Sequence, residues 1–478
     1  MGRTSKVVTS GLLICALAAV SVPVGLQLAP AFLPHDPAAV AVVPAAQELP
    51  TELGEVAAVT PLVSTAPLPD TAALAGELKK ALTYDGAGTF GMYVADALTG
   101  QEIFSQAAET AKTPASNLKL LTAGAALKTL GAETRFTTTV VSGATPTELV
   151  LRAGGDAMLA AGDSDATSTM GHAGLATLAQ ETAKALSAAG VSGPVTLSID
   201  DTLFTGSALN PKWSREDVDA GEIAPIFPMA LNAGRVAPGV LTGARPQDSA
   251  VAVAEAFAAA LESAGVSTNG AITRGSVPVA EASTAPGQAQ PGTVLASVSS
   301  ATVAEQTQFM LEESDNYVAE VLARMTAVKL GLDASNAGAV AAVRQVVAEL
   351  GLPMDDIVTT DNSGLATGNL MSPKNFVDLL TLMLEDSSSD IGQALQGLPI
   401  AGLTGSLSGR FTSASQLPGA GLVRAKTGSL NQVTSLSGYV INSDGRLLVF
   451  SILGNGLTDG AAVARPVVDA AAAVLAQS

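Results

Sequence analysis

The chain is almost without cysteine and histidine: its 478 residues hold one of the first and two of the second. The single cysteine, Cys15, lies in an apolar N-terminal run. The body of the chain therefore has no internal disulfide, no thiolate metal site and no cysteine nucleophile. His35 stands in a Pro/Ala-rich stretch and His172 in a Gly-containing one, which argues against a zinc site built from histidines. A Ser-His-Asp triad would rest on His172 alone. Its context, Thr169-Met170-Gly171-His172-Ala173-Gly174, reads as a polar loop leading into a helix. No metal or organic cofactor is implied. Aromatic residues are also scarce, at 3%, so the cores must be packed mainly with Ala, Val and Leu. Positive charge is in deficit: 24 Lys and Arg face 43 Asp and Glu, for a net charge of −19. Such a surface argues against nucleic acid as a partner, since phosphate contacts need Lys and Arg. It also disfavours docking on anionic lipid and suits a substrate that carries a cationic group.

Hydrophobic residues make up 47% of the chain, which excludes wholesale disorder, and the length allows two or three domains. Arg3 and Lys6 precede a run from Val7 to Leu33 without a charged residue. Residues 1–33 read as a secretory signal or an uncleaved membrane anchor through residues 7–33, and either implies export. Residues 34–75 are rich in Pro, Ala and Val and read as a flexible spacer.

Period-two segments predict a hairpin over Gly88–Gln106, turning at Leu98-Thr99-Gly100. Pro114-Ala115-Ser116 opens a helix that Gly131 stops, and its faces are small or apolar enough for a buried central position. Over residues 136–290 the pattern changes. A helix near Leu175–Ala189, then Gly190-Val191, then a strand is followed by a second such unit, with a helix near Ala250–Ala264 and Gly265-Val266. These predict an inserted α/β region. Helices dominate after Val298, and the chain ends in strands, with an Asp444-Gly445 hairpin, and a final helix. The expected fold class is α/β in the α+β sense. Residues 76–135 and 291–478 build one antiparallel sheet flanked by helices, and residues 136–290 are inserted into it.

Three short strings carry chemistry: Ser116-Asn117-Leu118-Lys119, Ser314-Asp315-Asn316 and Lys426-Thr427-Gly428. Each alone is close to noise. Together they supply an acyl-transfer site that needs no histidine. Ser116 and Lys119 share a face at a helix start, where unpaired N–H groups favour a developing anion. Lys119 can act as base if burial and a nearby Lys426 hold it neutral. Ser314 is placed to carry a proton to a leaving amine, and Asn316 to hold a substrate carbonyl and orient Lys119. Lys426 and Thr427 suit a substrate carboxylate. Gly428 permits close approach of a peptide paired along the strand edge. The N–H groups of Ser116 and Ser429 would form an oxyanion hole.

With their flanks, these strings make the chain resemble the class C low-molecular-mass penicillin-binding proteins, the D-Ala-D-Ala carboxypeptidase/endopeptidase family of serine peptidases. The likeness is carried by Pro114–Thr122, Asp200–Phe204, Asp361-Asn362-Ser363-Gly364-Leu365, Ala425–Leu430, Gly438-Tyr439-Val440 and Phe450–Asn455, and it covers the chain from Gly76 onward. It implies a penicillin-binding, β-lactamase-like transpeptidase domain with domains inserted between the first two strings. It also implies cleavage of the terminal D-Ala of peptidoglycan stem peptides, and β-lactams as inhibitors. Some members recognise a stem-peptide amine with a carboxylate beside an aromatic ring. Trp213, the only tryptophan, with Glu216 and Asp217, is the expected subsite. A β-lactamase or esterase of the same fold is the nearest alternative. A class A β-lactamase would need a Glu-x-x-Leu-Asn segment, which the chain does not show. A non-catalytic wall-binding protein would be expected to have lost part of the constellation, and every side chain is present.

Overall fold

The computed structural model describes residues 62–240, 243–280 and 290–478. The expected signal or anchor, and most of the expected spacer, fall outside these residues. The end of the spacer does not stay irregular. Asp70 accepts hydrogen bonds from the backbone of Ala72 and Ala73 and starts helix α1 (Thr71–Ala81), which buries Leu74 and Leu78. The Pro-rich run therefore gives way to helix at Asp70, ahead of the expected boundary at 76.

The predicted hairpin forms as β1 (Thr89–Asp96) and β2 (Glu102–Gln106). A 3₁₀ turn, Ala115–Leu118, then leads into helix α2 (Lys119–Leu130), whose C-cap is Gly131. Ten of the twelve α2 residues are buried, as its small apolar faces require. The chain next enters a second sheet. Its strands are β3 (Arg135–Ser142), β4 (Glu148–Arg152), β6 (Thr196–Asp200), β8 (Thr273–Arg274) and β9 (Val294–Thr302), in the order β8-β6-β4-β3-β9. Strand β5 (Asp156–Leu159) pairs separately with β7 (Met229–Leu231). The two helix-Gly-Val-strand units both appear: helix α3 (Leu175–Ala188) leads to β6 and, beyond a short helix α4 (Arg215–Ala220), helix α5 (Ser249–Ser263) leads to β8. Their strands pair in parallel, as α/β units do.

Helices α6 (Val303–Glu312), α7 (Asn316–Lys329), α8 (Asn336–Glu349) and α9 (Pro373–Glu385) follow. Each begins at a capping side chain: Thr302, Asp315, Ser335 and Ser372. The end of the chain supplies β10 (Arg424–Leu430), β11 (Val433–Ile441), β12 (Leu447–Asn455) and helix α10 (Ala461–Gln477). The main sheet is antiparallel, in the order β10-β11-β12-β1-β2, so the N-terminal hairpin and the C-terminal strands do share one sheet. One core lies between this sheet and α2, α6, α7 and α9. A second lies under α1 and α10, and a third lies between the second sheet and α3 and α5. Gly428 sits inside β10, opposite Ser435, and the turn falls at Asn431-Gln432.

Candidate active site

Residues 113–117 are fastened to the main sheet by side chains. Asn455 accepts from the Thr113 N–H at 2.7 Å and donates to its carbonyl at 3.0 Å. Ser435 Oγ donates to the Pro114 carbonyl at 2.7 Å, and Asn117 Nδ2 to Ser437 Oγ at 2.6 Å. Ala115, immediately before the serine, holds a left-handed φ of 50°. Such backbone strain persists only where surrounding contacts over-determine it. Ser116 emerges from this fastened turn half-buried, with Lys119 fully buried one turn behind it.

Lys119 Nζ touches three oxygens: Ser116 Oγ at 2.9 Å, Asn316 Oδ1 at 2.6 Å and the Ser363 carbonyl at 2.8 Å. Asn316 and Ser363 can accept protons but, through these atoms, cannot donate them. A neutral amine would therefore direct its two hydrogens to them and leave its lone pair facing Ser116. Asn316 is itself oriented, because its Nδ2 donates to the Glu222 carbonyl at 3.0 Å. Burial pulls the Lys119 pKa down to about 8, against the charges of Asp315, Asp361, Glu320 and Glu222, which hold it up.

The second lysine lies nearby. Lys426 Nζ donates to Ser314 Oγ and to the Thr427 carbonyl, both at 2.9 Å. It too is fully buried, and burial, reinforced by the charges of Lys119 and Arg410, holds its pKa well below the usual lysine value. Ser314 has a left-handed φ of 57°, so strain sits at Ser314 and just before Ser116. Thr427 Oγ1 bonds Ser406 Oγ at 2.7 Å.

Strand β10 is at the edge of its sheet. Its first part is covered, since Ala425 N–H donates to Pro399 at 3.0 Å and Arg424 pairs with Ile400. The stretch from Thr427 to Leu430 instead lines a cavity of about 670 Å³, together with Ser116, Ser314 and Asn316. A second cavity, of about 870 Å³, shares Glu222, Leu365, Ser429 and Leu430 with the first, so the two adjoin. A peptide could be held along this edge by backbone pairing, across Ser116.

The three strings are thus brought to one place. The expected subsite is not. Trp213 is 7% exposed and packs in the core, with its Nε1 donating to Asp361 Oδ2 at 3.0 Å. Glu216 and Asp217 lie in the first turn of α4, where Asp217 is tied to Ser214. None of the three lines the cavity at Ser116, and Asp217 alone reaches the adjoining one. His172 contacts Arg135 at 2.7 Å and the Ser168 carbonyl at 3.2 Å. Among the described residues no cluster of His, Cys, Asp and Glu could hold a metal ion. Two contributors were not singled out from sequence: the Ser363 carbonyl, and the carboxylate of Glu320 beneath it. A backbone carbonyl leaves no residue signature. Glu320 did leave one, lying four residues after Asn316 and hence on the same face of α7.

Comparison with known proteins bears on this constellation. The model of the D-Ala-D-Ala carboxypeptidase 3 (S13) family matches residues 74–246 and 239–478. Carboxypeptidase DacB of Mycolicibacterium smegmatis is 33% identical over 92% of this chain and 91% of that protein. The chain belongs to the S13 family. A D-alanyl-D-alanine carboxypeptidase of an Actinomadura species is 30% identical over 81% of each chain. Among solved structures, penicillin binding protein 4 (dacB) of Haemophilus influenzae superposes with a TM-score of 0.65 over 86% of this chain and 100% of that one. At 21% identity that likeness shows the fold, which is the penicillin-binding architecture.

Proposed function

We propose that this S13 member is a serine D-alanyl-D-alanine carboxypeptidase that works through an acyl-enzyme at Ser116. The observation that carries the reading is the arrangement around Lys119: a buried amine 2.9 Å from Ser116 Oγ, with carbonyl oxygens at its other two contacts. Ser116 Oγ attacks the carbonyl of the penultimate D-Ala while Lys119 takes its proton. The N–H groups of Ser116 and Ser429 hold the oxyanion. As the amide C–N bond breaks, the proton on Lys119 passes by way of Ser314 Oγ, which Lys426 holds, to the departing amine. Water then hydrolyses the Ser116 ester and restores the free hydroxyl. Thr427 and Lys426 receive the terminal carboxylate, and Gly428 admits the substrate backbone to the edge of β10.

The substrates are peptidoglycan stem peptides, and β-lactams acylate the same serine because their strained amide presents the same carbonyl. Of the three residues expected to recognise a stem-peptide amine, Asp217 is the one we retain, as a lining residue of the adjoining cavity. Residues 136–290 act as an inserted domain. The protein works outside the cytoplasm, exported by its N-terminal segment. Among the described residues no helix is long and apolar enough to cross a membrane, so anchoring would fall to residues 7–33. Release of D-Ala from a D-Ala-D-Ala-terminated peptide tests the activity. The purified protein should release it and Ser116→Ala should not. Equal release by both would overturn the reading.

A further inference from the structure

The carboxylate of Glu320 is 1% exposed, lines neither of the two cavities at the site, and has no part in the steps above. Its oxygens are nonetheless fully engaged at the base of the site. Oε1 accepts from the backbone N–H groups of Asn362 and Ser363, both at 2.9 Å, and Oε2 accepts from Asn362 Nδ2 at 2.9 Å. The Ser363 carbonyl, in the next peptide unit, is the one that Lys119 Nζ touches. From the other side Thr122 Oγ1 donates to the Asn362 carbonyl at 2.6 Å. The loop cannot slide toward the nucleophile turn. A Cβ at Gly364, whose φ is 81°, would lie 2.0 Å from the Ala115 carbonyl oxygen.

We infer that Glu320 is a positioning residue for the base. By gripping Asn362 and Ser363 it aims the Ser363 carbonyl at Lys119, and by its charge it sets how readily Lys119 gives up its proton. The inference rests on Lys119 acting as the base, as proposed above. Glu320 cannot touch substrate, so its influence must pass through the loop and through the field at Lys119. A carboxylate buried without a cation in direct contact is costly. The charged groups around it are Asp361 on the loop, Lys119 on α2 and Arg324 on its own helix. Burial and the charge of Asp361 push the Glu320 pKa up, while the three N–H donors of Asn362 and Ser363 aimed at its oxygens favour the carboxylate. Lys119 also feels Asp315, Asp361, Glu222 and Lys426, which no change at Glu320 removes.

Two variants of the full chain separate orientation from charge. Glu320→Gln keeps an oxygen for the loop N–H groups and removes the charge; Glu320→Ala removes both. The measurement is the second-order rate of penicillin acylation against pH. The carboxylate holds protons on Lys119, so its loss should move the acid limb of the Glu320→Gln profile down by about half to one pH unit. KM for the D-Ala-D-Ala peptide should stay unchanged, because Glu320 lies away from the cavity. Glu320→Ala should show the same displacement with a plateau rate lower by roughly tenfold or more. If Glu320→Ala does not fold, Glu320→Gln decides alone. A Glu320→Gln profile with its limb at the wild-type pH, whatever its rate, overturns the inference. Wild-type protein that takes no label at Ser116 would instead overturn the reading of the site.

Discussion

Lys119 and Lys426 have the same side chain but are placed for different work by what surrounds them. Lys119 has carboxylates near it that offset part of the effect of burial, so its pKa settles at about 8. Lys426 has only a hydroxyl and a carbonyl as direct partners, with two further cations near. A base must be neutral to act, so acylation should fall as pH drops through about 8 and level off above it. Lys119→Ala should lower the acylation rate by roughly 10²–10⁴-fold, measured with a fluorescent penicillin. Its fold should persist, because the variant removes a buried cation along with its contacts. At this scale the strings were legible because each side chain has distinctive chemistry. Trp213 was misplaced for the opposite reason. Its neighbours Glu216 and Asp217 make the segment look like a surface turn, and its partner Asp361 is 148 residues away.

At the scale of elements, the site is a junction of three pieces of backbone: the 3₁₀ turn at Ser116, the strained entry to α7 at Ser314, and the edge of β10. Gly428 is where the first and third meet. A Cβ there would lie 2.2 Å from Ser435 Oγ and 2.9 Å from the Pro114 carbonyl oxygen, and those two atoms bond each other. Gly428→Ala would push the nucleophile turn off the sheet. The expected result is a loss of about 10²-fold in D-Ala release, since small displacements of reacting groups are costly. The glycine was read from sequence as permitting close approach of a peptide paired along the strand edge. The structure puts its closest neighbours within the protein and its position inside a strand. Hairpins and helix ends were legible because their signals are local: Asp444-Gly445 for one turn, Gly131 for one helix end. The run of β10 through Gly428 is set by pairing with β11, a contact that local sequence does not encode.

At the scale of the whole molecule, the region between β3 and β9 reaches the entry to α7 at several points. Arg235 Nη2 donates to Asp315 Oδ2 at 2.5 Å, the Glu222 carbonyl holds Asn316, and Tyr317 Oη bonds the Phe227 N–H at 3.1 Å and Ser249 Oγ at 2.9 Å. This region therefore buttresses Asp315, Asn316 and Tyr317 in succession. Tyr317→Phe cuts two of these ties without changing the ring. It should lower stability by about 1–3 kcal/mol, because it leaves a buried donor unsatisfied, and chemical denaturation would show it. The second sheet was legible in part, through the change of pattern near residue 136 and the repeated helix-Gly-Val-strand units. The grip of this region on the second string was not legible, because it runs largely through a backbone carbonyl, a backbone N–H and an arginine in a loop.

The central claim is that Ser116 is the nucleophile of a penicillin-sensitive acyl-transfer site. Its most direct test is to incubate the purified protein with a labelled penicillin and map the adduct by mass spectrometry. One covalent adduct is expected on the peptide that contains Ser116, absent from Ser116→Ala. Folded protein that takes no label, or takes it at another residue, would contradict it.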